Sequence, residues 1–165
     1  ACAIAAGASL QQIATGLELA ASPDRRLQRK DLPSGGVVID DSYNASPSSV
    51  RAAIDVLATS DGRRLMVFGD MAEMGTDEEQ LHRDVGEYAR QSGIDGLYTL
   101  GRLSAQSSSA FNGGRHFQDL DSLQQVLLEE IRGQNSERNN LTILVKGSRS
   151  AQMDLVVDKL LAEKS

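Results

Sequence analysis

The chain has 165 residues, which is enough for one domain with a buried core. Its 17 basic and 23 acidic side chains give a formal net charge of −6, which argues against a nucleic-acid-binding protein. Aromatic residues make up only 4% of the sequence, and one cysteine excludes a disulfide framework within the chain. No apolar run approaches the ~20 residues that a membrane-spanning helix requires.

Short apolar runs that are typical of β-strands recur along the chain. They are nearly continuous rather than alternating, which indicates strands covered on both faces. Four of these runs are strong: Val37–Asp41, Leu65–Phe68, Leu97–Leu100 and Leu141–Lys146. A weaker one lies at Arg115–Phe117.

Amphipathic segments with apolar residues at helical spacing lie between and after these runs. Their predicted N-caps are Ser46, Thr76 (with Glu79 completing a capping box), Asp121 and Ser150. The alternation predicts an α/β fold, an open, mostly parallel sheet with helices on both faces. Residues 1–21 are alanine-rich and helical in pattern but stand outside this alternation, and a Ser-Pro-Asp break follows them.

Charged residues and glycines follow several predicted strands directly. Because ligands bind beyond the carboxyl ends of parallel strands, these segments predict a site at one edge of the sheet. The segments are 40–46, 69–75 and 146–150. The last is a cationic loop before a helix, which suits a carboxylate or phosphate, although a plain surface turn is the alternative.

Several common site signatures are missing from the sequence. There is no G-x-x-x-x-G-K-[ST] phosphate loop and no G-x-G-x-x-G fingerprint after the first strand. His82 and His116 show no metal-ligand spacing, so we expect no dedicated metal site. We expect a structural role for His82, and a structural or exposed position for His116. The predicted edge therefore has residues that suit an anion but no phosphate loop, so it resembles one half of a binding site.

Three motifs together resemble the C-terminal domain of the Mur ligases. They are D-D-S-Y-N at 40–44, G-D-M-A-E-M-G at 69–75 and K-G-S-R-S at 146–150, and the resemblance runs from about residue 25 to the end. It implies a Rossmann-like fold for residues 24–165. It also implies that residues 1–23 are the C-terminal end of a preceding central ATPase domain.

The resemblance implies an ATP-dependent, ADP-forming amide ligase of peptidoglycan precursor synthesis. In that reaction ATP phosphorylates the carboxylate of UDP-N-acetylmuramoyl-tripeptide, and the amine of D-alanyl-D-alanine attacks the acyl phosphate. It implies Mg²⁺ bound mainly by the central domain, a cytoplasmic location, and contacts with the protein's own N-terminal and central domains. Neither nucleic acid nor membrane insertion is implied. Because this chain has no phosphate loop, we expect it to be inactive alone.

The same resemblance implies roles for particular residues. On the nucleotide side it implies Arg26, Asp41, Tyr43 and Asn44; on the substrate side it implies Asp70, Glu73, Lys146, Ser148 and Arg149. Two positions depart from the family pattern, because Arg25 stands where it has glycine and Ser46 where it has asparagine.

Three alternatives remain open from the sequence. A related ligase could add a single amino acid, and a catalytically silent module could bind a ligand at the same edge. A phosphoacceptor receiver domain would use the acids at 40–41 with Asp70, Thr99 and Lys146. Its spacing is unfavourable, because Asp70 follows the second predicted strand where the acceptor should follow the third.

Overall fold

The computed structural model describes residues 7–12, 24–133 and 140–163. Within these ranges the chain forms one sheet in the order β1-β2-β6-β3-β4-β5. The strands are β1 (Gln28–Asp31), β2 (Val37–Asp41), β3 (Arg63–Gly69), β4 (Gly96–Leu100), β5 (Arg115–Phe117) and β6 (Leu141–Lys146). β1 runs antiparallel to β2, whereas the other neighbouring strands are parallel. No helix in the described part is long and apolar enough to cross a membrane.

Helices cover both faces of this sheet. They are α1 (Pro47–Ala58), α2 (Glu78–Gln91), α3 (Ser104–Phe111), α4 (Leu120–Arg132) and α5 (Asp154–Ala162). α1, α2 and α3 pack on one face and α4 and α5 on the other. Successive strand residues alternate between the two cores, as Val38 and Ile39 do. The predicted Rossmann-like α/β architecture is confirmed.

All five predicted strands are present, but the sequence prediction missed two elements. β1 has the sequence QRKD and lies at the sheet edge, where charged residues are tolerated and no apolar run marks the strand. α3 is rich in serine and lacks a clear apolar stripe. It is buried because Gly86 of α2 has no side chain to keep it away: a Cβ there would lie 2.1 Å from the Ser107 carbonyl oxygen.

One predicted helix cap is confirmed and three are wrong. Ser46 caps α1, and Ser46 and Ser49 hydrogen-bond reciprocally at its first turn. Asp119, not Asp121, caps α4 by accepting the Ser122 N–H at 2.8 Å. The predicted starts of α2 and α5 fall in or beside the 3₁₀ turns Gly75–Asp77 and Arg149–Ala151, so the helices begin later, at Glu78 and Asp154.

The predicted helix over 1–21 lies mostly outside the described residues. Within 7–12, Ser9 and Gln12 exchange reciprocal side-chain hydrogen bonds of 2.9 and 3.2 Å, and residues 10–12 are helical. This pair is a capping box of the S-x-x-Q type. The predicted domain boundary at residue 23 stays a prediction.

Candidate functional site

The sheet topology opens a crevice at the carboxyl ends of the central strands. The loops after β2 and β3 lead to α1 and α2 on one face, whereas the loop after β6, which lies between those strands, leads to α5 on the other. Chain segments that diverge in this way leave space between them, which is where ligands bind in open α/β sheets. Three predicted site segments therefore meet at one edge.

Two adjoining grooves occupy this edge. The first, which we call the linker groove, is a cavity of about 810 Å³ lined by Asp24, Arg25, Arg26, Ser42, Tyr43, Arg149, Gln152, Asp154 and Leu155. The second, the strand-end groove, is a cavity of about 650 Å³ lined by residues 43–46, 72–74 and 148–150. Tyr43 and Arg149 line both grooves, so the two grooves are continuous with each other at these side chains.

Two arginines line these grooves, Arg26 in the linker groove and Arg149 in both. The Arg26 guanidinium lies 4.5 Å from the centre of the Tyr43 ring, and both side chains are exposed. Among the described residues, neither Arg26 nor Arg149 forms an ion pair with a carboxylate. Unneutralised guanidinium groups beside an aromatic ring suit a phosphate or carboxylate attached to a planar group.

A buried ion pair lies beneath the grooves. The parallel register places Asp41 of β2 opposite Lys146 of β6, and the Lys146 ammonium donates to Asp41 Oδ2 at 2.5 Å and to the Asn44 carbonyl at 2.9 Å. The second carboxylate oxygen of Asp41 accepts the Leu27 N–H at 3.2 Å. Only 2% of the Lys146 side chain and 11% of the Asp41 side chain are exposed. The pair thus ties the segment before β1 and the loop after β2 to the sheet.

Asp70 is directed away from both grooves. Its carboxylate accepts the Leu103 and Ser104 N–H groups at 3.2 and 2.7 Å, which caps the start of α3. Its backbone carbonyl accepts the Ser148 N–H at 2.9 Å and so joins the loops after β3 and β6. Asp70 also lines a smaller cavity of about 280 Å³ near Gly101, which shares Ser150 with the strand-end groove.

The remaining predicted residues surround the strand-end groove. Glu73 is exposed and has a positive φ of 60°, which is uncommon for a residue with a side chain and occurs often at functional loops. Asn44 is exposed, and its Oδ1 accepts the Ala45 N–H at 2.9 Å. Ser148 is buried, with its hydroxyl 3.0 Å from that of Ser150. Glu73, Asn44 and Arg149, together with Tyr43, are therefore the exposed residues of this groove that the sequence singled out.

The two histidines have different positions. His82 is fully buried, accepts the Met71 N–H at Nε2 (2.9 Å) and donates from Nδ1 to the Glu78 carbonyl (2.6 Å). It therefore holds the loop after β3 against α2, which is the structural role expected for it. His116 is exposed, with Nδ1 3.0 Å from the Thr99 hydroxyl. The described residues contain no group of three His, Cys, Asp or Glu side chains that could hold a metal ion.

The sequence prediction missed how the linker groove is built on its α5 side. Gln152, Asp154 and Leu155 line it, and Arg25 forms an ion pair with Asp154. The available signal was their position directly after the K-G-S-R-S loop. Because α5 was predicted to begin at Ser150, these residues were assigned to the first turns of a helix instead.

Comparison with known families shows to which family the chain belongs. A family model described as "Mur ligase, glutamate ligase domain" matches residues 25–149. The chain belongs to the Mur ligase family. That match replaces the receiver interpretation, whose acceptor Asp70 is the carboxylate that caps α3.

Known Mur ligases resemble the chain over almost its whole length. It is 41% identical over 154 residues to the UDP-N-acetylmuramoyl-tripeptide–D-alanyl-D-alanine ligase of Escherichia coli, covering 93% of this chain and 33% of that protein. A crystal structure of MurF from Acinetobacter baumannii superposes with a TM-score of 0.85 at 31% identity, covering 98% of this chain and 35% of that one. A Thermotoga maritima MurF in complex with ADP has the same fold, with a TM-score of 0.76 at 21% identity, covering 96% of this chain and 35% of that one. The chain therefore spans about a third of the length of the curated relatives it matches.

Proposed function

We propose that the chain is the C-terminal domain of an ATP-dependent, ADP-forming ligase that joins D-alanyl-D-alanine to UDP-N-acetylmuramoyl-tripeptide through an acyl phosphate. The E. coli relative, at 41% identity, carries the name of that ligase. The structural observation that carries the proposal is the pair of adjoining grooves, which share Tyr43 and Arg149 and contain two arginines without carboxylate partners in the described part. Such an edge can face a nucleotide on one side and an acceptor on the other.

The proposal includes a division of labour within the longer protein. Residues 1–23 end the central ATPase domain and residues 24–165 form the C-terminal domain, in a cytoplasmic enzyme. ATP is bound together with Mg²⁺, and we assign the metal mainly to the central domain. No residue of this chain is assigned to Mg²⁺, because the described residues offer no cluster of ligands for it.

The linker groove is proposed to face the nucleotide. Arg26 supplies a guanidinium for phosphate oxygens, and the exposed Tyr43 ring against which it packs lines the same groove, where a ribose or base would lie beside it. Asp41 supports this groove without lining it, because its carboxylate accepts hydrogen bonds from the Leu27 N–H and the Lys146 ammonium. Lys146 in turn fixes the backbone at Asn44, whose exposed side chain lies beside Tyr43 in the strand-end groove.

The strand-end groove is proposed to face the dipeptide. D-Alanyl-D-alanine carries an amine at one end and a carboxylate at the other. Arg149 suits that carboxylate and the negative charge that develops during attack on the acyl phosphate, whereas Glu73 suits the ammonium form of the incoming amine. Ser148 and Asp70 contribute by holding the loop, through the 2.9 Å bond from the Ser148 N–H to the Asp70 carbonyl.

Steady-state kinetics of the full-length protein with Arg26→Ala and Arg149→Ala test this division. Loss of a charged hydrogen bond costs roughly 1.5–3 kcal/mol, so we expect a rise of roughly tenfold or more in one KM. Arg26→Ala should raise the KM for ATP, and Arg149→Ala should raise that for D-alanyl-D-alanine. Arg132→Ala, which removes an ion pair to Glu163 outside both grooves, is the matched control. If both groove variants keep both KM values within twofold of the parent, the assignment is wrong.

A further inference from the structure

The segment before β1 has an unusual backbone around Arg26. The residues on either side of it, Arg25 and Leu27, have positive φ angles of 56° and 49°. Side chains disfavour this left-handed region, so two such residues in three persist only where surrounding contacts hold them. The contacts of Arg25 and Leu27 therefore decide where Arg26 points.

The side chain of Arg25 is anchored on α5. Its guanidinium forms a hydrogen-bonded ion pair with Asp154, and a second nitrogen lies 3.7 Å from a carboxylate oxygen of Asp158. The hydrogen bond to Asp154 raises the pKa of Arg25, against a smaller opposing effect of burial. Asp154 and Asp158, one helical turn apart on α5, thus share the Arg25 guanidinium.

The backbone of Arg25 is anchored at its other side. Its carbonyl accepts the Tyr43 N–H at 3.2 Å, and its own N–H donates to the Gln28 side chain at 3.2 Å. The neighbouring Leu27 N–H is held by Asp41. Arg25 therefore connects α5 with the loop that carries Tyr43, and Arg26 projects from this connection over the Tyr43 ring.

We propose that Arg25 is a positioning residue, whose ion pair with Asp154 holds Arg26 over Tyr43 before a ligand arrives. Arg25 acts through the backbone and through Arg26. Holding a long side chain in place before binding removes part of the ordering cost of association. We call this arrangement, in which Arg25 is paired with Asp154 and its backbone is bonded to Tyr43, the clamp. That the ligand is a nucleotide rests on the proposed function above, whereas the clamp rests only on the contacts of Arg25.

Hydrogen exchange on this 165-residue chain tests the clamp without reference to activity. Arg25→Gly removes the side chain while glycine adopts the left-handed backbone without strain. We expect exchange of the Tyr43 and Leu27 amides to quicken by about tenfold, with Val67 in β3 unchanged as an internal reference. Arg132→Ala is the control for loss of another arginine ion pair. Unchanged protection of both amides in Arg25→Gly would overturn the proposal.

A double-mutant cycle in the full-length protein tests the consequence for binding. Arg25→Gly and Asp154→Asn should each raise the KM for ATP several-fold, and their combination should raise it no further, because both break one contact. Arg25→Lys, which keeps the charge, should recover part of the loss, and kcat should stay close to the parent value.

The two proposals fail in different ways. If Arg26→Ala raises the KM for ATP but Arg25→Gly and Asp154→Asn leave it unchanged, Arg25 is not a positioning residue. If neither Arg26→Ala nor Arg25→Gly changes that KM while the amide exchange quickens, the nucleotide role of the linker groove is wrong and the clamp is confirmed.

Discussion

Replacing Lys146 with methionine is the sharpest test of how the site is supported. Methionine keeps the apolar stem of the side chain but provides no donor. Among the described residues, the buried Asp41 carboxylate would then keep the Leu27 N–H as its one hydrogen-bond donor, and the Asn44 carbonyl would lose its 2.9 Å donor. Neither Lys146 nor Asp41 lines a groove, so the substitution removes support for the groove residue Asn44 without replacing a groove-lining side chain.

The expected cost follows from the burial of the pair. Breaking a buried ion pair by removing one partner costs about 3–5 kcal/mol. Only 2% of the Lys146 side chain is exposed, but the 11% exposure of Asp41 and its remaining N–H contact favour the lower end of this range. We therefore expect a loss of about 3 kcal/mol in the free energy of unfolding, or a thermal midpoint lower by ~6–12 °C.

Urea denaturation of this chain measures the effect, with an unchanged slope showing that the same unfolding transition is compared. Lys159→Met, at an exposed position on α5, is the matched control and should be close to neutral. The double variant Asp41→Asn with Lys146→Met should be more stable than Lys146→Met alone, because the unpaired charge is gone. A loss below about 1 kcal/mol in Lys146→Met would refute this reasoning.

Three further predictions concern packing, pH and activity. Gly86→Ala should lower the free energy of unfolding, measured in urea, by about 1–3 kcal/mol, because the new Cβ meets the Ser107 carbonyl. The same change normally stabilises a helix, so a stabilised variant would contradict the close packing. Burial, and then the hydrogen bond to Glu130, raises the pKa of Tyr98 to about 12. The protonated Tyr98 hydroxyl should therefore stabilise the fold fully below about pH 10, and this stabilisation should be lost as the pH rises through 12. Absorbance titration at about 295 nm should show a late phase that Tyr98→Phe removes, and its persistence in that variant would contradict the assignment. The purified 165-residue chain should release no phosphate from ATP, because its sequence contains no G-x-x-x-x-G-K-[ST] motif; turnover that co-purifies with it would contradict this.

The core strands could be predicted from the sequence because burial on both faces leaves a continuous apolar run. β2 and β6 have the predicted bounds for this reason. β1 could not be predicted, because an exposed edge strand tolerates the charged sequence QRKD. α3 depends on a single glycine of α2 that allows serines to be buried, and no local pattern reports such a contact.

The site was predictable as a place but not as a set of contacts. Polar residues after β2, β3 and β6 do meet at one edge, as the alternation of strands and helices implied. The partnership of Asp41 with Lys146 depends on the register of two strands about a hundred residues apart. The orientation of Asp70 towards α3 depends on a helix that was not predicted. Arg25 stands where the resemblance implies glycine, and it has a positive φ of 56° with its side chain paired to Asp154 of α5.

The most direct test of the central proposal is ATP-dependent phosphate release by the full-length protein. UDP-N-acetylmuramoyl-tripeptide would be supplied with D-alanyl-D-alanine or with single amino acids in turn. We predict phosphate release and a new amide product only with the dipeptide. Release with a single amino acid instead would keep the family and contradict the substrate. No release with any acceptor would contradict the proposed ligase activity itself.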